Sequence, residues 1–190
     1  SRRQRQMCIR DRSMVGVDDR AAAYQAVSYL IQQGHRKIAV LGGPATSYPS
    51  MMRRQGAQQA MEDAGIRFED KLYGLSNYDF ESAYHAMNGL LARRAEFTAL
   101  FAMSDVIAFG AIRALVSAGL QVPEDVSVIG FDGITMSRYC VPVMTTIVQP
   151  SEQIALQSIE LLVRQIEHGT PAQTVTLQPE LQQGESVRAI

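Results

Sequence analysis

Cysteine is nearly absent from this chain. Cys8 and Cys140 are the only two in 190 residues, which provides no disulfide framework and fits a reduced compartment. Histidine is as sparse: His35, His85 and His168 are scattered at no metal-ligand spacing. Neither a metal nor a cofactor is therefore expected. Positive charge is not in excess, since 18 Lys and Arg against 19 Asp and Glu leave a net charge of −1. The chain thus lacks the basic field that holds nucleic acid through its phosphates. No apolar run approaches the ~20 residues of a membrane span. Gly-x-Gly-x-x-Gly, phosphate-loop and Gly-x-Ser-x-Gly motifs are missing too, so catalysis has no motif to rest on. The expectation is a cytoplasmic protein that is not an enzyme.

What the chain does have is the composition of an ordinary globular protein, 46% apolar and 19% charged. It also has a recurring apolar-run-then-turn pattern. Strand-like runs over 37–41, 99–103 and 126–131 end at Gly42-Gly43-Pro44, Ser104-Asp105 and Asp132-Gly133. Helical stripes separate them: Ala57, Ala60 and Met61 in a helix from about Met52 to Ala64, a helix over 80–92, and Ala108, Ala111, Ile112 and Leu115 after Asp105. A weaker strand is expected around Lys71–Leu75. Continuous apolar strands alternating with helices mean an α/β fold with a doubly wound parallel sheet buried on both faces. In such sheets ligands bind beyond the carboxyl ends of the strands. The polar residues of this chain stand there.

Outside that block, Val15-Gly16-Val17 reads as a strand tip, and Ala23, Val27, Leu30 and Ile31 line one face of a helix that Gly34 stops. Ser151 opens a long helix to His168 with Ala155, Ile159, Leu162 and Ile166 on one side, followed by a strand Thr174–Leu177 and a polar tail. Residues 1–13 stand apart. They carry five arginines, and Arg5-Gln6-Met7-Cys8-Ile9-Arg10-Asp11 looks like a translated sequencing adaptor, so a non-native or disordered leader is expected there.

Four segments together resemble the effector-binding core of the LacI/GalR family of bacterial transcription regulators. They are Val17-Asp18-Asp19 with the run from Tyr29 to Ile38, Gly42-Gly43-Pro44 with Arg53-Arg54-Gln55-Gly56, Met103-Ser104-Asp105 through Ala111, and Val122-Pro123-Glu124-Asp125 through Asp132. The run from Pro142 to Pro150 extends the match. The resemblance implies a periplasmic-binding-protein-like fold of type I, in which two subdomains joined by three crossover strands close on a ligand. Residues 37–146 would form a complete C-terminal subdomain. Residues 14–34 and 150–177 would be fragments of the N-terminal subdomain, with 178–190 a return strand and tail. A helix-turn-helix would precede residue 14, so operator DNA would be a partner only through that missing domain. The implied function is binding of a small, sugar-like effector and homodimerisation in a transcriptional repressor, with no membrane partner.

The resemblance also implies a site. Arg53, three residues before Gly56, matches the family's ligand-clamping arginine, whose planar fork grips adjacent hydroxyls as lysine cannot. Its alternative is a solvated arginine, although positive charge early in a helix opposes the dipole. Arg54 reads as the solvated neighbour. Asp132 matches the family's key acid; otherwise it is a turn aspartate. Gly133 replaces an acid that relatives often carry next. Ser104 stands where relatives have a ligand-contacting asparagine, though capping alone would explain it, and Asp105 reads mainly as a cap. Tyr78 takes the place of a ring-stacking aromatic or pins its loop to the core. Tyr48 and Asp18 are rim candidates, Asp18 doubling as a helix cap. His35 reads as structural. Tyr139, Cys140 and Val141, with helix 80–92, lie where relatives dimerise. The alternative function is a periplasmic sugar-binding protein of a transporter. A glycosidase would need a second carboxylate beside Asp132.

Overall fold

A computed structural model describes residues 13–94 and 96–190 of the chain. The expected leader, Cys8 included, lies outside them except for Ser13. The chain divides into two compact bodies, the larger comprising Asp19–Gln149 and Pro179–Ile190, the smaller residues 13–18 and Pro150–Gln178.

The larger body is built on a six-stranded sheet. Its strands are β2 (Ile38–Gly42), β3 (Tyr73–Leu75), β4 (Ala99–Ala102), β5 (Ser127–Asp132), β6 (Thr145–Val148) and β8 (Glu180–Gln182), counting β1 and β7 in the smaller body. They lie in the order β3-β2-β4-β5-β6-β8. Every pairing is parallel except β6 with β8. The strand order reverses between β2 and β4, which is where a doubly wound sheet opens a crevice at its carboxyl end.

The helices are α1 (Asp19–Gln32), α2 (Tyr48–Asp63), α3 (Phe80–Ala92) and α4 (Asp105–Ser117). α1 packs on α2 and α3 on α4, the two layers that right-handed crossovers place on opposite faces of the sheet. Strands β2, β4 and β5 are continuous apolar runs because helices cover both sides of them, and their side chains are almost wholly buried. Phe101, Phe131, Leu41, Leu100 and Ile129 are among the largest fully buried groups.

The sequence reading drew its first boundary at residue 34 and assigned the opening helix to the other subdomain. The structure draws it between Asp18 and Asp19 instead. α1 buries Ala22, Ala23, Ala26, Val27 and Leu30, and it does so against its neighbours in the larger body. The polar tail is tied into this body through β8 and Ser186. Ser186 is fully buried and its hydroxyl donates to the Val128 carbonyl at 2.6 Å. His35 bonds Thr98 Oγ1 at 2.9 Å and the Arg188 carbonyl at 3.1 Å, and burial lowers its pKa. It is structural, as expected.

The smaller body pairs β1 (Met14–Val17) in parallel with β7 (Thr174–Leu177) and adds α5 (Ser151–His168). Gly169, at φ 63°, ends α5 in the left-handed conformation. Of α5 only Leu161 is buried. The apolar side read for it, Ala155, Ile159, Leu162 and Ile166, lies on the surface together with Leu156 and Val163.

Candidate functional site

Arg53 and Asp132, separated by 79 residues in sequence, meet at the carboxyl end of the sheet. Arg53 sits in the second turn of α2, and Asp132 is the last residue of β5. Arg53 Nη1 stands 3.5 Å from Asp132 Oδ1 and also donates to the Met103 carbonyl just past β4. Its Nε donates to Asp19 Oδ1 at 2.7 Å, from the first residue of α1. The flat face of the guanidinium lies 3.7 Å from the centre of the Phe131 ring. Stacking fixes the plane and the edge contacts fix the rotation, so the fork is held in one orientation. Gln149, just past β6, donates its Nε2 to Asp132 Oδ1 at 2.7 Å.

This cluster spans the reversal point between β2 and β4, and its side chains come from four different segments, with a fifth contributing the Met103 carbonyl. Arg53 is almost fully buried, with Asp19 and Asp132 at 16% and 28% side-chain exposure. Burial pushes the Asp132 carboxyl above its ordinary range, against the opposing pull of Arg53 and of the Gln149 carboxamide. Such a carboxylate, short of solvent but still reachable, gains most from a ligand that brings its own donors.

Position 133 has a steric reason to be glycine. At φ 71° its backbone passes so close to β6 that an added Cβ would come within 2.7 Å of the Val148 Cα. Here Gln149 provides the hydrogen bond to Asp132.

The remaining candidates are distributed as follows. Ser104 is buried, and its hydroxyl caps α4 by accepting from the Ile107 N–H at 3.1 Å. Asp105 is not the cap that was expected. It is the first residue inside α4, and its carboxylate bonds Thr146 and Ile134. Tyr78, in the loop after β3 at φ 60°, lays its ring against Gly43. Its hydroxyl is enclosed with no hydrogen-bond partner among the described residues. Tyr48 opens α2 and is 65% exposed. Asp18 is exposed at the end of β1 in the smaller body. Arg54 is not merely solvated: its guanidinium stacks 4.4 Å from the Tyr73 ring centre.

Sequence reasoning missed Asp19, Phe131 and Gln149. Gln149 follows strand β6, but an uncharged amide after a strand gives no signal. Asp19 was passed over for its neighbour Asp18. Phe131 looked like core, and it is, although its ring also supports Arg53.

The 138–142 loop projects two of the three residues assigned to an interface. Tyr139 is 77% and Val141 94% exposed. Cys140 is half-buried and its thiol donates to the Ser137 and Pro142 carbonyls. Beside them a groove of about 500 Å³ is lined mainly by Ile112, Val116, Leu120, Val122, Val141 and Pro142.

Residues 27–187 match the model of the periplasmic binding protein-like domain. The chain belongs to that family. The resemblance drawn from the four segments is borne out by the relatives. MalR of Clostridium butyricum, an HTH-type transcriptional regulator, is 38% identical over 174 residues, 92% of this chain and 52% of that protein. CytR of Escherichia coli K12, an HTH-type transcriptional repressor, is 39% identical over 153 residues, 80% and 45% of the two chains. A solved complex of the transcriptional regulator CelR with cellobiose superposes with a TM-score of 0.89 at 34% identity, covering 93% of this chain and 54% of that one. The chain spans about half the length of the curated relatives it matches.

Proposed function

We propose that this chain is the effector-binding and dimerisation core of a LacI-type transcriptional repressor, and that its effector is a neutral sugar. The observation that carries the reading is the Arg53–Asp132 approach of 3.5 Å at the strand-order reversal. A guanidinium fork beside a carboxylate matches the paired donors and acceptors of neighbouring sugar hydroxyls. Asp19 adds a second negative charge to the single positive charge of Arg53. Two acids around one base leave the cluster net negative, which favours an uncharged polyol over a sugar phosphate. CelR, bound to cellobiose in the superposed complex, is in keeping with that class. Tyr78 is the aromatic candidate to lie against the sugar ring, and Tyr48 remains a rim candidate. Ser104, busy as a cap, is a weaker contact than Arg53 or Asp132.

On this reading the work is binding, with no catalytic step. Effector binding shifts the population between arrangements of two subdomains, and operator DNA is reached through a helix-turn-helix domain. The exposed apolar face of α5 is then the surface on which the rest of the N-terminal subdomain packs. Cytoplasmic location follows from the same reading, and among the described residues no helix is long and apolar enough to cross a membrane.

The test is a thermal-shift screen of the complete protein against cellobiose, other neutral di- and monosaccharides, their phosphates and purine nucleosides. A neutral sugar is expected to raise the midpoint. Arg53→Lys and Asp132→Asn are each expected to weaken that sugar at least about tenfold, the loss of one charge-assisted hydrogen bond. Preference for a phosphorylated sugar or a nucleoside, or parental affinity in both variants, would overturn the assignment.

A further inference from the structure

Asp105 is an ionisable group that the binding cluster does not contain. It is completely buried. One carboxylate oxygen accepts from Thr146 Oγ1 at 2.6 Å, on β6, and the other from the Ile134 N–H at 2.8 Å. The site is built to admit it. At Gly130 on β5 an added Cβ would stand 2.2 Å from Asp105 Oδ1, so any other residue there would expel the carboxylate. Its bonds thus link the start of α4, strand β6 and the segment just after β5.

That segment carries Asp132. Asp132 has φ 111°, a conformation that a residue other than glycine holds only where its surroundings enforce it. On the β6 side the Gln149 N–H donates to the Asp132 carbonyl at 3.0 Å. On the other side the backbone N–H groups of Gly133 and Ile134 turn to Asp105, Ile134 at 2.8 Å. The bend is therefore held from two directions, and one of them is this carboxylate.

We propose that Asp105 is a positioning residue, whose buried carboxylate holds the 132–134 bend so that Asp132 faces Arg53 and Gln149. The proposal gives Asp105 a part in ligand recognition only if Asp132 holds a ligand, but its geometric content is independent of that reading. Ile134 has φ −64°, an angle proline shares, so Ile134→Pro keeps that angle while it deletes the donor and sets a ring carbon against the carboxylate. Thr146→Val removes the other donor with little change of shape. Asp105→Asn can accept from Ile134 and donate to the rotated Thr146 hydroxyl, and so restores both bonds.

The measurement is made on ligand-free, 15N-labelled chain, with circular dichroism melts to establish folding. The probes are the proton signals of the Gln149 carboxamide and the Arg53 guanidinium, which report on Asp132. Ile134→Pro and Thr146→Val are expected to displace both sets of signals, and Asp105→Asn to leave them at parental positions. A purely structural Asp105 would lower the melting temperature of Ile134→Pro and Thr146→Val and leave the signals alone. Parental signals in a folded Ile134→Pro or Thr146→Val chain overturn the proposal. Because no sugar is added, absence of sugar binding sinks the functional reading without touching this result.

Discussion

Asp105 shows how a single residue can be costly and still be kept. Burial, only partly offset by hydrogen bonds from Thr146 and Ile134, raises its pKa from 3.8 to about 6. An acid with a raised folded-state pKa binds its proton more readily folded than unfolded. Between about pH 4 and pH 6, lowering the pH therefore adds stability and raising it removes stability. At pH 7 the ionised form costs roughly 3 kcal/mol relative to a neutral group of the same shape. Asp105→Asn is accordingly expected to be more stable than the parent at pH 7 and to lose that margin by pH 4. Urea melts across the range measure it. His35, whose lowered pKa works in the opposite sense, titrates in both proteins and cancels from the difference. A margin that does not change with pH would assign the titration to another group. Legibility at this scale was uneven. Arg53 and Asp132 stood out because charge at a strand end or early in a helix violates local preference. Asp19 and Gln149 violate nothing, since an acid at a helix start and an amide after a strand are ordinary placements.

At the scale of elements, apolar periodicity located α3, α5 and β7 with their observed ends and β2, β4 and β5 within a residue or so, because each is long or bounded by turn residues. It did less well where the element is short. β3 is only Tyr73–Leu75, preceded by a 3-10 turn over Asp70–Leu72, so the expected five-residue strand was too long. Periodicity also cannot say which neighbour receives an apolar face. α1 was assigned to the wrong body for that reason, and α5 shows the same gap from the other side. Its stripe is genuine, yet Ile159 and Ile166 are 61% and 74% exposed. Replacing both by serine is expected to change the stability of this chain by no more than about 0.5 kcal/mol, as at other exposed positions. Leu161→Ala, by contrast, is expected to cost roughly 2 kcal/mol, from the packing of α5 on β1. Chemical denaturation compares the two. Strong destabilisation by the serine pair would mean that the face is already covered.

For the whole molecule, the open question is association. Tyr139 and Val141 project beside an apolar groove that Val116 and Pro142 also line. A monomer gains nothing from displaying these groups together, and an interface would shield them. On the proposed reading the parent is a dimer, and Val141→Asp, which buries a charge in that interface, is expected to shift it toward monomer by at least tenfold in dissociation constant. Sedimentation velocity over a concentration series decides it, and an unchanged distribution would move the interface elsewhere.

Local chemistry alone was enough for the α/β class, the parallel sheet and the strand-end location of a polar site. Each follows from the spacing of apolar side chains along a short stretch of backbone, which neighbours in sequence determine. The partnership of Arg53 with Asp132, its support by Phe131, Asp19 and Gln149, and the burial of Asp105 over Gly130 were decided only by tertiary structure. They depend on the strand order β3-β2-β4-β5-β6, which brings five distant segments to one end of a sheet. No local preference encodes that order.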